Sequence, residues 1–145
     1  NAQLGAHLGW LADEAPQGRF GDQALGWLGR DSLPHSSAPE LARHIEARLG
    51  RPVTCVDAPG RAPQRIAWCT GGAQSYFEAA IAAGADVFVT GEISEPQAHY
   101  ARECGVAFIA CGHHASERFG APAVAAEGAR RLGLVHTFID IPNPA

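Results

Sequence analysis

The chain lacks several features that would assign it to a broad class. It contains no methionine, so Asn1 is not an initiator residue, and we expect either a processed terminus or part of a longer protein. No apolar run approaches the roughly 20 residues that a membrane-spanning helix needs. No secretory signal peptide is recognisable either. We therefore expect a protein that has no membrane partner.

Paired cysteines and excess positive charge are also absent. The cysteines, Cys55, Cys69, Cys104 and Cys111, form no CxxC pair, which argues against a zinc ribbon and against a redox dithiol. We expect free thiols, as in the reducing cytoplasm, and hence a cytoplasmic protein. The net charge of −4 argues against nucleic acid as a partner, because domains that bind it electrostatically are usually basic.

What is present is typical of a globular α/β protein. Apolar residues make up 46% of the chain and charged residues 18%, a balance that favours a packed core over disorder. The pattern predicts strands at residues 10–11, 25–28, 53–56, 65–69, 87–90, 106–111 and 137–141. It predicts helices at residues 2–8, 38–49, 74–83, 95–103 and 120–132. Their alternation predicts an α/β fold in which helices flank a sheet.

The segment from residue 89 to residue 120 has the densest set of side chains that bind metals or transfer protons. They are Glu92, Glu95, His99, Glu103, Cys111, His113, His114 and Glu117. The segment is predicted to form a buried strand, a helix and a second buried strand, with acidic or imidazole groups after each strand. Ligands of open α/β sheets lie outside the carboxyl ends of strands, so a site is expected there.

His113 and Glu117 are four residues apart, next to a glycine turn. If a helix begins there, both side chains lie on one face about one turn apart. An imidazole and a carboxylate suit a divalent ion such as Zn, Mn or Fe. The alternative is that His113 merely ends a strand and Glu117 is a solvated carboxylate favoured by the helix dipole. Spacing by itself leaves both interpretations open, because HxxxE is common by accident.

The neighbouring candidates each have an alternative interpretation. His114 diverges by about 100° from His113 on a helix, so it cannot also share the face of Glu117. Cys111 lies in an apolar strand, where cysteine is more often an inert small hydrophobe. His99 is an ordinary polar helix residue unless its helix faces the site. Glu92 could be a ligand, a general base or a carboxylate that orients a ligand histidine.

The turn Thr70-Gly71-Gly72 lies between a predicted strand and a predicted helix. Its backbone amides could hold an anion. It has no Walker lysine and does not match GxGxxG, so a tight turn remains the default interpretation.

Several motifs together resemble a known family. CTGGAQS (residues 69–75), AGADVFVTGE (83–92), VTGEISE (89–95) and GHHASER (112–118) are similar to the Nif-three-like dinuclear-metal proteins, also named GTP cyclohydrolase 1 type 2 homologues. TFIDIPNPA (137–145) is similar to the bacterial branch. The resemblance covers nearly the whole chain, and the order and spacing of the motifs make it specific.

The resemblance implies a Nif-three-like fold in a two-lobed α/β subunit that assembles into a toroidal homohexamer. It implies two divalent metal ions per complete subunit, held by two adjacent histidines and an aspartate from the N-terminal half plus the pair of a GHxxxE motif. By position that pair is His113 and Glu117. Glu92 and His99 match polar positions lining the same cleft, which implies catalytic proton transfer.

The N-terminal histidine pair and the aspartate have no counterpart here. We therefore expect residues 1–145 to be the C-terminal portion of such a protein, one α/β domain whose residues 1–9 belong to the upstream lobe. The missing N-terminal lobe is then a partner of this chain. The resemblance implies a metal-dependent hydrolase acting on a small, nucleotide-like molecule. The alternative is a non-enzymatic, ring-forming protein that binds metal or partners.

Overall fold

The computed structural model describes residues 1–141 and residue 143; Pro142, Pro144 and Ala145 lie outside the described residues. The strands in the described part are β1 (Trp10–Ala12), β2 (Arg19–Phe20), β3 (Gly26–Asp31), β4 (Thr54–Val56), β5 (Ile66–Trp68), β6 (Val87–Thr90) and β7 (Ala107–Ala110). The helices are α1 (Ala2–Leu8), α2 (Ala38–Leu49), α3 (Phe77–Ala82), α4 (Glu95–Cys104), α5 (His113–Glu117) and α6 (Gly120–Leu132). A single 3₁₀ turn, Gln74–Tyr76, precedes α3.

All seven described strands form one mixed sheet in the order β1-β3-β5-β6-β7-β4, with β2 paired to β3. The three central strands β5, β6 and β7 are parallel, and the pairs β1–β3, β3–β5 and β4–β7 are antiparallel. Helical connections join β5 to β6 and β6 to β7, as parallel neighbours require. The carboxyl ends of the three central strands therefore lie at the same edge of the sheet.

The sheet has a hydrophobic core on each face. In β6, Val87 and Val89 belong to the core that includes Leu41 and Ile45 of α2. The intervening Phe88 belongs to the opposite core, with Phe77 of α3. This alternation follows from the two-residue period of a strand. Helices cover both faces, so the predicted α/β class and the flanked sheet are confirmed.

Helix α2 has the boundaries expected from its sequence. The Ser37 hydroxyl accepts a hydrogen bond from the backbone N–H of Glu40 at 3.4 Å, and the Glu40 carboxylate accepts one from the backbone N–H of Ser36 at 2.7 Å. The first bond satisfies an amide that the first turn leaves unpaired, and the second fixes the residue before the cap. At the other end Gly50 has φ +70°, a left-handed conformation that glycine adopts without strain.

The predicted strand at residues 137–141 is wrong. These residues form no regular element, and Ile139 and Ile141 are 75% and 71% exposed. Alternating apolar residues form a strand only when a neighbouring strand supplies hydrogen bonds. No strand of the described chain pairs with this segment, and its Asp140 contacts α5 instead.

Two further differences are local. The helix predicted at residues 74–83 begins as the 3₁₀ turn, and its α-helical part is Phe77–Ala82. Strand β2 was not predicted, because two residues are too few to show a period.

The first helix packs into the body of the domain. Its Leu4 and Leu8 are each 1% exposed and belong to the same core as α2. The assignment of residues 1–9 to an upstream lobe stays a prediction, but in this structure their apolar side chains are already buried.

Helix α6 and the residues after it expose apolar side chains. No residue of α6 is fully buried, and Val124 and Leu132 are 76% and 74% exposed. Val135, beyond the helix, is 95% exposed. Apolar surface of this kind often marks a contact with another protein segment. Among the described residues, no helix combines the length and apolar character that crossing a bilayer requires.

Candidate metal centre

The candidate site lies where the three parallel strands end. Gly71 follows β5, Glu92 follows β6, and His113 follows β7 as the first residue of α5. Glu117 is the last residue of the same short helix. The site therefore occupies the sheet edge at which the sequence places it.

Two buried hydroxyl groups hold the loops of the site together. Thr90, 0% exposed, donates to the Gly71 carbonyl at 3.0 Å and accepts from the backbone N–H of Ala73 at 3.3 Å. Ser116, 1% exposed, donates to the His113 carbonyl at 2.9 Å and accepts from the Gly71 N–H at 2.9 Å. Thr90 and Ser116 were not singled out as site residues from the sequence. Both lie inside the family motifs, and this position could have identified them as candidates.

Gly71 forms the floor of the site. Its φ is +72°, and a Cβ atom there would overlap the carboxylate of Glu117 and lie 3.3 Å from His113 Nε2. Residues 71 and 72 form a bend after β5, so the backbone changes direction at the predicted turn. The absence of a side chain lets the backbone pass directly under the two predicted ligands.

The two ring nitrogens of His113 face different carboxylates. Nδ1 lies 2.5 Å from Glu92 Oε1, and Nε2 lies 3.2 Å from Glu117 Oε2. The three side chains are 42%, 44% and 50% exposed, in the order His113, Glu92 and Glu117. A second bond supports Glu92, whose Oε2 accepts from Gln74 Nε2 at 3.3 Å.

These contacts shift the protonation of the pair. The hydrogen bond with Glu92, helped by the charge of Glu117, raises the pKa of His113 above its usual value. The same bond lowers the pKa of the Glu92 carboxyl. Both shifts favour an imidazolium–carboxylate pair in the metal-free site, and solvent around these exposed groups weakens the attraction.

The donor set fits part of a metal site. Ligand histidines usually donate one ring N–H to a carboxylate, which orients the ring and leaves the other nitrogen for the metal. Glu92 has this position at Nδ1, so Nε2 and the Glu117 carboxylate remain as donors. Within residues 1–141 and 143, no group of three or more His, Cys, Asp or Glu side chains is arranged to hold a metal ion. The two donors are fewer than the roughly three protein ligands of a catalytic zinc site.

The ring of His114 faces Asp140, whereas that of His113 faces Glu92 and Glu117. His114 Nε2 lies 3.1 Å from Asp140 Oδ1, and the side chain of Arg118 lies 3.0 Å from Asp140 Oδ2. This direction agrees with the expectation that His114 does not share the face of Glu117.

The other candidates are not at the pair. His99 lies on the exposed side of α4 and is not among the described residues that line the cleft, so its part in proton transfer stays a prediction. Cys111 is 0% exposed, and burial raises the pKa of its thiol to about 12. Such a thiol is a poor ligand and a poor nucleophile.

Two cavities adjoin the pair. A cleft of about 330 Å³ is lined by Glu92, His113, His114, Glu117 and Arg118. A second, open groove of about 790 Å³ is lined by residues of α1 and α6 and by Glu117. Glu117 therefore lines both cavities, whereas His113 lines only the cleft.

Sequence comparison gives the family. A profile of the Duf34/NIF3 (NGG1p interacting factor 3) family matches residues 1–144. The chain belongs to this family. A curated relative in Escherichia coli (strain K12), called a GTP cyclohydrolase 1 type 2 homolog, is 53% identical over 146 residues. A relative of the same name in Pseudomonas aeruginosa is 47% identical over 145 residues. The NIF3-family chain is matched over 100% of its length but spans only 56% of each relative.

Solved structures agree with this assignment. The NIF3-family chain superimposes on ybgI, a protein described as of unknown function, with a TM-score of 0.90 and 44% identity, covering 100% of this chain and 56% of that one. A protein from Thermus thermophilus shares the fold with a TM-score of 0.75 and 24% identity, over 98% of this chain and 54% of that one.

Proposed function

We propose that this chain supplies His113 and Glu117 to a dinuclear metal centre of a metal-dependent hydrolase that acts on a nucleotide-like substrate. The observation that carries the proposal is the geometry of His113, with Nδ1 on Glu92 and Nε2 facing Glu117. The name of the relatives, GTP cyclohydrolase 1 type 2 homolog, supports the substrate class. The ions would be Zn, Mn or Fe, which accept nitrogen and carboxylate donors.

The residues of the chain would have separate roles. His113 Nε2 and Glu117 would bind the ion, and the Thr90 and Ser116 hydrogen bonds would hold the loops that carry them. Glu92 would fix the ring of His113 and could accept a proton from water. A divalent ion bound there would lower the pKa of a coordinated water and polarise the atom under attack.

The remaining ligands would come from the missing N-terminal lobe, in a toroidal homohexamer. Catalytic zinc sites typically use about three protein ligands plus water, and this chain brings two together. We therefore expect the 145-residue chain to bind divalent ions weakly and to lack cyclohydrolase activity. Calorimetric titration with Zn or Mn tests this, and two tight sites per chain would show that its own residues complete the centre.

Metal analysis of variants tests the ligand assignment. In the complete protein, His113→Ala and Glu117→Ala should each lower the bound metal, because each removes one of few donors. His114→Ala is the matched control, since its ring faces Asp140, and its metal content should be unchanged. Two ions per subunit retained in both ligand variants would overturn the proposal. Equal loss in His114→Ala would mean that the wrong histidine was chosen.

A second candidate function is a non-enzymatic, ring-forming protein that binds metal or partners. The exposed apolar side chains of α6 favour an interaction surface, and the family description itself names an interacting factor. Turnover of GTP by the metal-loaded complete protein separates the two. Turnover that disappears in Glu117→Ala supports the hydrolase, whereas metal binding without turnover of nucleotides supports the second function.

A further inference from the structure

The cleft beside the predicted ligands has a basic part, formed by His114 and Arg118, which also line a neighbouring cavity. His114 Nε2 and Arg118 Nη1 converge on the carboxylate of Asp140, at 3.1 Å and 3.0 Å from its two oxygens. Two donors that meet two oxygens of one anion are the arrangement by which proteins bind carboxylate and phosphate groups. Asp140, which lines the neighbouring cavity, thus shows which kind of group these two donors accept.

The basic part is preorganised. Arg118 also donates from Nη2 to the carbonyl of Leu49, the last residue of α2, at 2.9 Å. That bond fixes the guanidinium group, whose Nη1 faces Asp140. The Arg118 side chain is only 25% exposed, so its position does not depend on Asp140 alone.

The segment that carries Asp140 is largely exposed and irregular. Residues 134–141 form no helix or strand, and the flanking Ile139 and Ile141 are 75% and 71% exposed. Asp140 itself is 43% exposed, and ion pairs at that exposure are weak. A dissolved anion can therefore compete with Asp140 for the same donors.

The two parts of the cleft are complementary. Glu92 and Glu117 make one side acidic and suited to a cation, whereas His114 and Arg118 make the other side suited to an anion. Both sides line one cleft of about 330 Å³. His114 follows His113 in the chain and Arg118 follows Glu117, so a group bound at the basic side would hold the rest of its molecule beside the metal ligands.

We propose that His114 and Arg118 form a subsite for a phosphate group of the substrate, and that the Asp140 carboxylate occupies this subsite as an internal competitor. The proposal rests on the proposed function for its substrate class, a nucleotide-like molecule. Phosphate offers the two oxygens that Asp140 presents and carries more negative charge than a carboxylate. Binding of the substrate would then displace the Asp140 carboxylate into solvent.

Titration with inorganic phosphate tests the subsite without metal. With chelator present, calorimetry or NMR should show tighter phosphate binding in Asp140→Asn than in the parent, by about fivefold, the size expected when an exposed ion pair stops competing. Asp22→Asn removes another exposed carboxylate, far from this cluster in the sequence, and should leave phosphate affinity unchanged. Acetate should bind more weakly than phosphate in every variant.

Substitutions of the donors complete the test in the Asp140→Asn background. Arg118→Gln should abolish phosphate binding, and Arg130→Gln, on exposed α6, should not. Because Arg118 also donates to the Leu49 carbonyl, the melting temperature of Arg118→Gln shows whether that variant is still folded. His114→Ala leaves the Leu49 contact intact and should also weaken phosphate binding. The subsite proposal would be overturned if Asp140→Asn left phosphate affinity unchanged, or if phosphate still bound after both donor substitutions. Acetate binding as tight as phosphate binding would also overturn it. Metal content is measured separately, so loss of the subsite and loss of the metal centre are distinguishable.

Discussion

Gly71 lies directly beneath the carboxylate of Glu117, although 46 positions separate the two residues in the sequence. Any side chain at residue 71 would occupy the space of that carboxylate, and φ of +72° would strain it further. The loop after β5 therefore controls the position of a predicted ligand on α5.

Substitution of this glycine should disturb the site more than the fold. In Gly71→Ala the new methyl group should push Glu117 away from His113, so the complete protein should lose metal. Gly84→Ala is the matched control, because Gly84 has a similar φ of +81° and open space around its Cβ position. The two variants should lose similar stability, and only Gly71→Ala should lose metal. Unchanged metal content in Gly71→Ala would contradict the assignment of Glu117.

The pKa of His113 should depend on Glu92. The pKa of His113 is raised in the folded state, so its pairing with Glu92 stabilises the fold. This stabilisation is complete below the usual pKa of histidine and disappears as the pH rises through the raised pKa of His113. Glu92→Gln removes the carboxylate, so the pKa of His113 should fall. NMR titration of the imidazole in metal-free protein measures this. Glu103→Gln, at the exposed end of α4, is the control, and a titration of His113 identical in parent and Glu92→Gln would refute the pairing.

An aspartate elsewhere, Asp31, has an enclosed side chain that should contribute to stability. Asp31 Oδ2 accepts from Trp10 Nε1 at 3.1 Å and lies 3.2 Å from His35 Nε2, and its side chain is 4% exposed. Asp31→Ala should lower the free energy of unfolding by about 1–3 kcal/mol, because the Trp10 N–H loses its acceptor in a buried place. Urea denaturation measures the change, with the exposed Asp22→Asn as control. Equal stability of the two variants would show that this network does not stabilise the fold.

The four cysteines should differ in reactivity. All are free thiols, and Cys104 is exposed. Burial, helped by the charge of Asp57, raises the pKa of Cys55 to about 11, and Cys111 is inaccessible. Because the thiolate is the reactive form, iodoacetamide at mildly alkaline pH should modify Cys104 first in the folded protein. Mass spectrometry locates the adducts, and denatured protein, the control, should be modified at every cysteine. Equal rates at Cys55 and Cys104 would contradict the described packing.

The elements that could be predicted are those whose signals are local. Helix α2 has apolar residues at Leu41, Ile45 and Leu49, a serine cap and a terminal glycine, and its interactions lie within a few positions. The spacing of His113 and Glu117 is equally local, and a single helical turn brings the two side chains together. The strand predicted at residues 137–141 does not form, because a strand needs a neighbouring strand to supply hydrogen bonds. The local pattern of apolar residues does not show whether such a neighbour exists.

By itself, the sequence determined the α/β class, the family motifs and the sheet edge at which the polar side chains gather. Only the tertiary structure decided that Glu92 contacts His113, that Gly71 supports Glu117, and that Asp140 bridges His114 and Arg118. Those contacts join residues 21 to 46 positions apart. The first two exist because β5, β6 and β7 pair side by side and bring their carboxyl ends together. The third exists because the irregular segment after α6 passes beside α5, and no single segment encodes either long-range arrangement.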